Sequence, residues 1–352
     1  VNDLAELKRF VVAHAISQNL PPDHYSAILD AITSDDQWAR EWIRAGERAA
    51  DPLVASQFYT MGRFPFVDGP GRAEALDRAV DSFDRWRRNG TGIESETVDV
   101  DGTPVRIWTV GLSADEPRPL LVVTGGIVST KEQWGPVLPQ IAQFGMAGVV
   151  AELPGVGQNA LPYRADSWRL FPAILDALAD RANVADTYLL ALSFSGHLAI
   201  TAALHDSRIR GIVGNGTPVR EFFTDPDWQA RVPKVTTDTL AHLVGVPSDE
   251  VYQHVQDWGL TERQLSAVEI PLAVVWATQD EIIPQRDVAL LRDHVANLTV
   301  LEHDDVHGAP SHLAETRLWS LLAVLEMRAN VDETIRTGIA NALAAVRAGA
   351  ST

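Results

Sequence analysis

After Gly92 the chain alternates short apolar runs with helical stretches, and that alternation constrains the fold more than any other feature. The runs cover 120–124, 148–153, 188–192, 211–213, 272–277 and 298–301. Helical periodicity fills roughly 134–144, 164–181, 196–205 and 285–296 between them. Near-continuous hydrophobic strands separated by helices specify an α/β fold with a mostly parallel sheet covered on both faces. In such sheets a ligand sits beyond the C-terminal ends of the strands, so the tails of these runs are where chemistry is expected. Just upstream, GIESETVDVDGTPVRIWTVG alternates polar and apolar residues around Asp101-Gly102, a hairpin signal.

The preceding residues read differently. Leu4, Leu7, Phe10, Val11 and Ala15 fall at helical spacing, and Tyr25, Ile28, Leu29 and Ile32 repeat it. Asp35 or Asp36 is placed to cap a helix carrying Trp38, Trp42 and Ala45. A further helix from Ala73 to Trp86 stops at Asn89-Gly90. Between Thr217 and Glu269 the strand–helix alternation lapses for about fifty residues, too long for an ordinary connection. The expected division is a helical N-terminal cap region over 1–90, an α/β core in 91–216 and 270–330, a lid-like helical insertion over 217–269, and a C-terminal helix over 331–352.

Composition narrows the function. The 352 residues carry 29 basic and 47 acidic side chains, a net charge of −18. That balance argues against nucleic acid, because phosphate binding needs an excess of Lys and Arg. There are no cysteines, which removes disulfides, thiolate catalysis and Cys-ligated metal together. No apolar run approaches the ~18 residues of a membrane span, and VNDLAELKRF has no signal-peptide pattern. The expectation is a soluble cytoplasmic protein acting on a small molecule, with no membrane partner and with a homodimer as the one self-association considered.

The strongest chemical signal is the strand–turn–helix segment TYLLALSFSGHLAI. A nucleophile elbow, G-x-S-x-G, needs small residues two places either side of a serine held at a strained turn. With Ser193 as nucleophile those positions are Ala191 and Ser195. With Ser195 they would be Ser193 and His197, and imidazole fits poorly there. The bland alternative makes Ser193 a helix cap after a buried strand. Asp280, just past the run 272–277, can orient a histidine, with Glu281 as its rival. His307 follows the last run beside Gly308, whereas His303 reads as a packed or surface strand residue and His312 as the start of the next helix. The three histidines lack the helical i, i+4 spacing of a zinc motif, so no metal is expected. In LLVVTGGIVSTKEQW, the strand ending at Gly125-Gly126 can turn backbone N–H groups at Gly126 and Ile127 toward a developing oxyanion. Phe194 would supply the second donor. Ser129-x-x-Glu132 also fits a capping box opening the next helix.

Taken in order, GGIVSTKEQW, PGVG, LSFSGH, D-x-I-I-P and DDVHG resemble the α/β-hydrolase superfamily. They are most similar to the subgroup with a helical N-terminal region that includes 2,6-dihydropseudooxynicotine hydrolase, fungal polyketide-shortening pigment hydrolases and the fermentation–respiration switch protein. QWAREWIRAGERAADPLVASQFYTMGRF is similar to that helical region, and the resemblance covers about residues 35–328. It implies a Ser193–Asp280–His307 triad, no cofactor, and a substrate reached between core and cap. Ala191 and Ser195 depart from the elbow glycines. Members acting on carbon–carbon bonds can use an additional acid after the strand following the elbow, where Glu221 and Asp225 lie. The expected function is a cofactor-free serine hydrolase cleaving a C–C bond beside a ketone in a diketone or polyketide-like substrate. Esterase or lactonase chemistry, acyl transfer, cyclisation and a binding scaffold are the alternatives. Trp38, Trp42, Phe58, Tyr59, Phe64 and Phe66 are expected to supply side chains that pack on the 217–269 insertion above Ser193 and shape an apolar acyl site.

Overall fold

A computed structural model describes residues 3–350, the side chain of Ala350 excepted. Eight strands form one sheet: β1 (Glu94–Val100), β2 (Thr103–Val110), β3 (Pro119–Thr124), β4 (Ala147–Ala151), β5 (Asn183–Leu192), β6 (Ile209–Asn215), β7 (Leu272–Ala277) and β8 (Leu298–His303). Their order across the sheet is β1-β2-β4-β3-β5-β6-β7-β8. β1 and β2 form the expected hairpin, closing at Val100 opposite Thr103 over two left-handed residues, Asp101 and Gly102. β2 runs antiparallel to β4, and all later pairs are parallel. The central strands are buried along almost their whole length, which is why they read as unbroken apolar runs.

The helices between them differ from the periodicity in places. The stretch 134–144 is not one helix: Lys131–Trp134, a tight turn at Gly135–Val137 and Leu138–Gln143 replace it. Pro136 and Pro139 fall inside the periodic pattern and interrupt it. No capping box forms there, because Thr130 occupies the cap position without a side-chain bond and Glu132 is engaged elsewhere. The stretch 164–181 shortens to Leu170–Leu178 behind the turn Ser167–Arg169.

The N-terminal region forms five helices, Leu4–Ser17, Pro22–Ala31, Trp38–Arg48, Pro52–Arg63 and Pro70–Arg87. Trp38, Trp42, Phe58 and Phe64 pack with Leu7, Val11 and Tyr25 into an apolar cluster that also takes in Val235 of the 217–269 segment. Phe83 packs on Trp108 with its ring centre 5.1 Å away, fastening the last of these helices to the sheet. The first helix is a bridge. The Glu6 carboxylate accepts the backbone N–H groups of Lys234 and Val235, at the start of helix Lys234–Val244. Arg317, on helix Leu313–Met327, donates to the Ser17 carbonyl and to Asn19 Oδ1. Among the described residues no helix is long and apolar enough to cross a membrane.

Candidate active site

β5 ends at Leu192 and the helix Phe194–Ala203 begins two residues later, leaving Ser193 alone to make the turn. It does so at φ 56° and ψ −126°. That is a left-handed conformation which costs a non-glycine residue energy and recurs where function holds it. Its N–H is tied to the Asn215 carbonyl at the end of β6 (2.7 Å), which pins the turn to the neighbouring strand. Ala191 and Ser195 are both fully buried. Ser195 Oγ donates inward to the carbonyls of Leu192 (2.8 Å) and Thr124 (3.1 Å), so it is occupied in the core.

His307 reaches the turn from the loop after β8. Its Nε2 lies 3.0 Å from Ser193 Oγ, and its Nδ1 lies 2.8 Å from Asp280 Oδ2. Asp280 follows β7 and is held by the backbone N–H groups of Ile282 and Ile283, each 2.8 Å from Oδ1. With Asp280 Oδ2 accepting, Nδ1 carries the hydrogen and Nε2 faces the serine as acceptor. Burial works to lower the pKa of His307, but the charge and hydrogen bond of Asp280, with Glu281 behind them, outweigh it and hold the ring above the ordinary histidine value. Glu281, the sequence rival to Asp280, accepts the backbone N–H of His307 at 3.0 Å instead. Asp305 steadies the same loop by accepting from the N–H groups of Val306 and Ser311, both at 2.8 Å. A side chain at Gly216 would put a Cβ 2.6 Å from the imidazole, so glycine alone lets the ring approach.

A cavity of about 590 Å³ opens over Ser193 and His307, with a wall that is largely apolar. Gly126, Ile127 and Phe194 all line it beside the serine. A Cβ on Gly126 would stand 3.0 Å from that of Ser193, so the loop after β3 packs against the elbow at backbone distance. Phe194 is the first residue of its helix, so its N–H is one of the amides a helix start leaves unpaired. Glu221 and Asp225 do not belong to the cavity wall. The buried Asp287 carboxylate accepts the N–H of Glu221 (2.7 Å), and Asp225 caps the helix Pro226–Gln229 through the N–H groups of Asp227 and Trp228. His303 and His312 stack on one another at 4.3 Å, with partners Thr316 and Asp305 respectively.

Two groups of residues around the cavity escaped sequence reasoning. Behind the loop after β3, the Lys131 ammonium is fully buried between Glu132 and Glu152, each oxygen 3.0 Å away. Glu152 also accepts the backbone N–H groups of Lys131 (3.0 Å) and Gln158 (2.7 Å), so it joins the GGIVSTKEQW and PGVG segments. Arg63, buried on the fourth helix, donates to the Val128 carbonyl at 2.7 Å. Burial lowers its pKa to about 10, though Glu152 and Glu132 resist that. Lys131 is one of three lysines in the sequence, and that scarcity carries no mechanism by itself. The first helix supplies the other group, with Phe10, Ala13, His14 and Ser17 forming a wall of the cavity. Of the aromatic residues expected over Ser193, Phe64 lines the cavity and Phe66 stacks on His242 of the 217–269 segment at 4.4 Å. Trp38 and Trp42 are fully buried in the helical cluster and do not line this cavity.

Comparison with known proteins agrees with this architecture. The sequence profile of a family described as esterase FrsA-like matches residues 37–302. Esterase FrsA of Vibrio cholerae is 25% identical over 229 residues, which cover 59% of this chain and 55% of that protein. Esterase FrsA of Klebsiella pneumoniae is 24% identical over 290 residues, covering 76% and 70%. The chain therefore spans about half the length of the first of these curated relatives. Among solved structures, wild-type AbyA5 is 52% identical with a TM-score of 0.94, covering 98% of this chain and 100% of that one. The 2,6-dihydroxy-pseudo-oxynicotine hydrolase shares the fold, with a TM-score of 0.70 at 19% identity over 91% of this chain and 97% of its own. Matched from its helical region through to the last strand of its sheet, the chain belongs to the FrsA-like esterase family.

Proposed function

We propose that this protein is a cofactor-free serine hydrolase acting on the acyl group of a small, largely apolar molecule. The observation that carries the reading is the unbroken hydrogen-bonded line from Ser193 Oγ through His307 to Asp280. Ser193 attacks the carbonyl carbon while His307 Nε2 takes its proton, and Asp280 stabilises the imidazolium that results. The N–H groups of Ile127 and Phe194 receive the oxyanion. His307 then returns the proton to the leaving group. A water molecule, deprotonated by the same ring, releases the acid and restores the serine.

An ester C–O bond is the favoured target. Family membership supports it, and so does the absence of Glu221 and Asp225, the acids the resemblance offered for C–C cleavage, from the cavity wall. Fluorophosphonate labelling tests the nucleophile: the wild type should label and Ser193→Ala should not. A panel of esters and diketones, with products read by mass spectrometry in labelled water, tests the bond. Labelled acid released from esters is the expected result. Turnover confined to diketones would transfer the reading to C–C hydrolysis, and a wild type inert to both panels and to the label would refute hydrolysis.

A further inference from the structure

His14 lies in the cavity wall on the first helix, and its hydrogen-bond network fixes which ring nitrogen carries the hydrogen. Ser17 Oγ donates to the His14 carbonyl at 2.8 Å, which uses its only proton. Its contact with the Gln133 amide, 2.9 Å, is therefore made by Gln133 Nε2 donating to it. The amide oxygen is left to face His14 Nδ1 at 3.1 Å, and a carbonyl oxygen only accepts. Nδ1 thus holds the hydrogen. Burial keeps the ring neutral by lowering its pKa to about 4, against the pull of Gln133 and with the help of Arg63 and His307. In that tautomer Nε2 carries a bare lone pair. Among the described residues no protein group meets Nε2, and it is not among the side-chain atoms sealed away from solvent.

A lone pair presented to an otherwise apolar cavity is a recognition element for a donor, because an unmatched acceptor there loses its water on ligand binding and gains nothing in return. We infer that His14 Nε2 accepts a hydrogen bond from a neutral hydroxyl of the substrate, an alcohol or enol O–H carried away from the scissile acyl bond. A carboxylate at that point has no hydrogen to give, and an ammonium would meet the charge of Arg63 nearby. The cavity, about 590 Å³, has room for a ligand that reaches both Ser193 and the first helix. Ser193 would thereby select the bond and His14 the molecule. This inference rests on the hydrolase reading for its cavity and names the substrate class within it.

Two measurements test it. In intact protein labelled with ¹⁵N-histidine, long-range proton–nitrogen correlation should show His14 protonated at Nδ1, and 1-hexanol should shift its Nε2 resonance while 1-methoxyhexane should not. A hydrogen on Nε2, or equal responses to alcohol and ether, would overturn the inference. Kinetically, p-nitrophenyl esters of 6-, 8- and 10-carbon acids ending in a hydroxyl should be compared with their methyl ethers. At the chain length that reaches His14, the hydroxyl ester should have the higher kcat/KM by about tenfold, expressed mainly in KM. In His14→Phe that ratio should fall to near one. Hydrolysis of all esters with no preference, or a preference that survives in His14→Phe, refutes the His14 subsite and leaves the hydrolase reading standing. A wild type that neither hydrolyses the esters nor takes fluorophosphonate refutes the hydrolase reading instead, and the resonance shift then decides the subsite alone.

Discussion

His307 and His14 border one cavity, both rings carry their hydrogen on Nδ1, and their pKa values move in opposite directions. The difference lies in what each Nδ1 meets. His307 donates to a buried carboxylate, which stabilises the charged ring and holds it above the usual value. His14 donates to a neutral amide, which repays too little of the desolvation cost, and the ring is pushed down to about 4. The surroundings of one ring favour its charged form and those of the other its neutral form. The sheet loop supplies the first and the helical region the second.

The largest effects should come from the charged side of this comparison. Ser193→Ala should lower turnover by on the order of 10⁶ with little loss of stability, whereas Ser195→Ala should cost about 1 kcal/mol of stability and keep most activity. If the dead variant were Ser195→Ala, the elbow would be centred on the wrong serine. Asp280→Asn should slow turnover by roughly 10⁴. In the wild type, kcat/KM should rise with pH through a pKa above 6.5, because the ring must be neutral to act as base. A limb at or below 6.5 would remove His307 from that role.

Smaller effects should come from the polar scaffold behind the cavity. Lys131→Met leaves Glu132 and Glu152 facing each other in the core, and chemical denaturation should show a loss of about 3–5 kcal/mol. Stability should also fall as pH drops from 6.5 toward 4. His14 and His197, both lowered to about 4 by burial, stay neutral in the fold and protonate first in the unfolded chain. Each contributes up to roughly 3 kcal/mol across that window. His307, shifted the other way, contributes below 6.5 and loses its share as pH rises through its own pKa. His14→Phe should flatten the acid limb of a melting-temperature profile, and an unchanged slope would show that His14 is not buried neutral. Glu281→Gln should be mildest, within about threefold in turnover, since the amide oxygen still accepts the His307 N–H at the modest worth of such a bond. A loss as deep as that of Asp280→Asn would make Glu281 the orienting acid.

The strand ends were legible because burial on both faces forces unbroken apolar runs, and a residue just past such a run has few places to go. Ser193, Asp280 and His307 each stand in that position, and the structure sets His307 3.0 Å from Ser193 and 2.8 Å from Asp280. Glu221 and Asp225 were selected by the same logic and do not line the cavity over Ser193. Proximity to a strand end says nothing about which backbone amides a carboxylate or its neighbours will satisfy, and here Asp287 and a helix start claim that segment. The capping box at Ser129-x-x-Glu132 failed for a related reason, because Glu132 is taken up by the buried ammonium of Lys131.

Beyond the helical character of the cap and the place of Phe64, the first-helix wall of the cavity was not legible. In sequence, His14 is one polar residue on an amphipathic helix, and its partner Gln133 lies 119 residues away. Lys131 and Glu152 are separated by 21 residues, and Arg63 reaches Val128 over 65. The sequence by itself determined the sheet, the helical character of its first ninety residues and the strained turn at Ser193, since period, burial and turn chemistry act between near neighbours. Tertiary structure alone decided which helix closes the cavity, which carboxylate orients His307 and which nitrogen of His14 stays bare. Those outcomes depend on distances between residues far apart in the chain, and the hydrogen-bonding capacity of a side chain is assigned only when its neighbours in space have taken theirs.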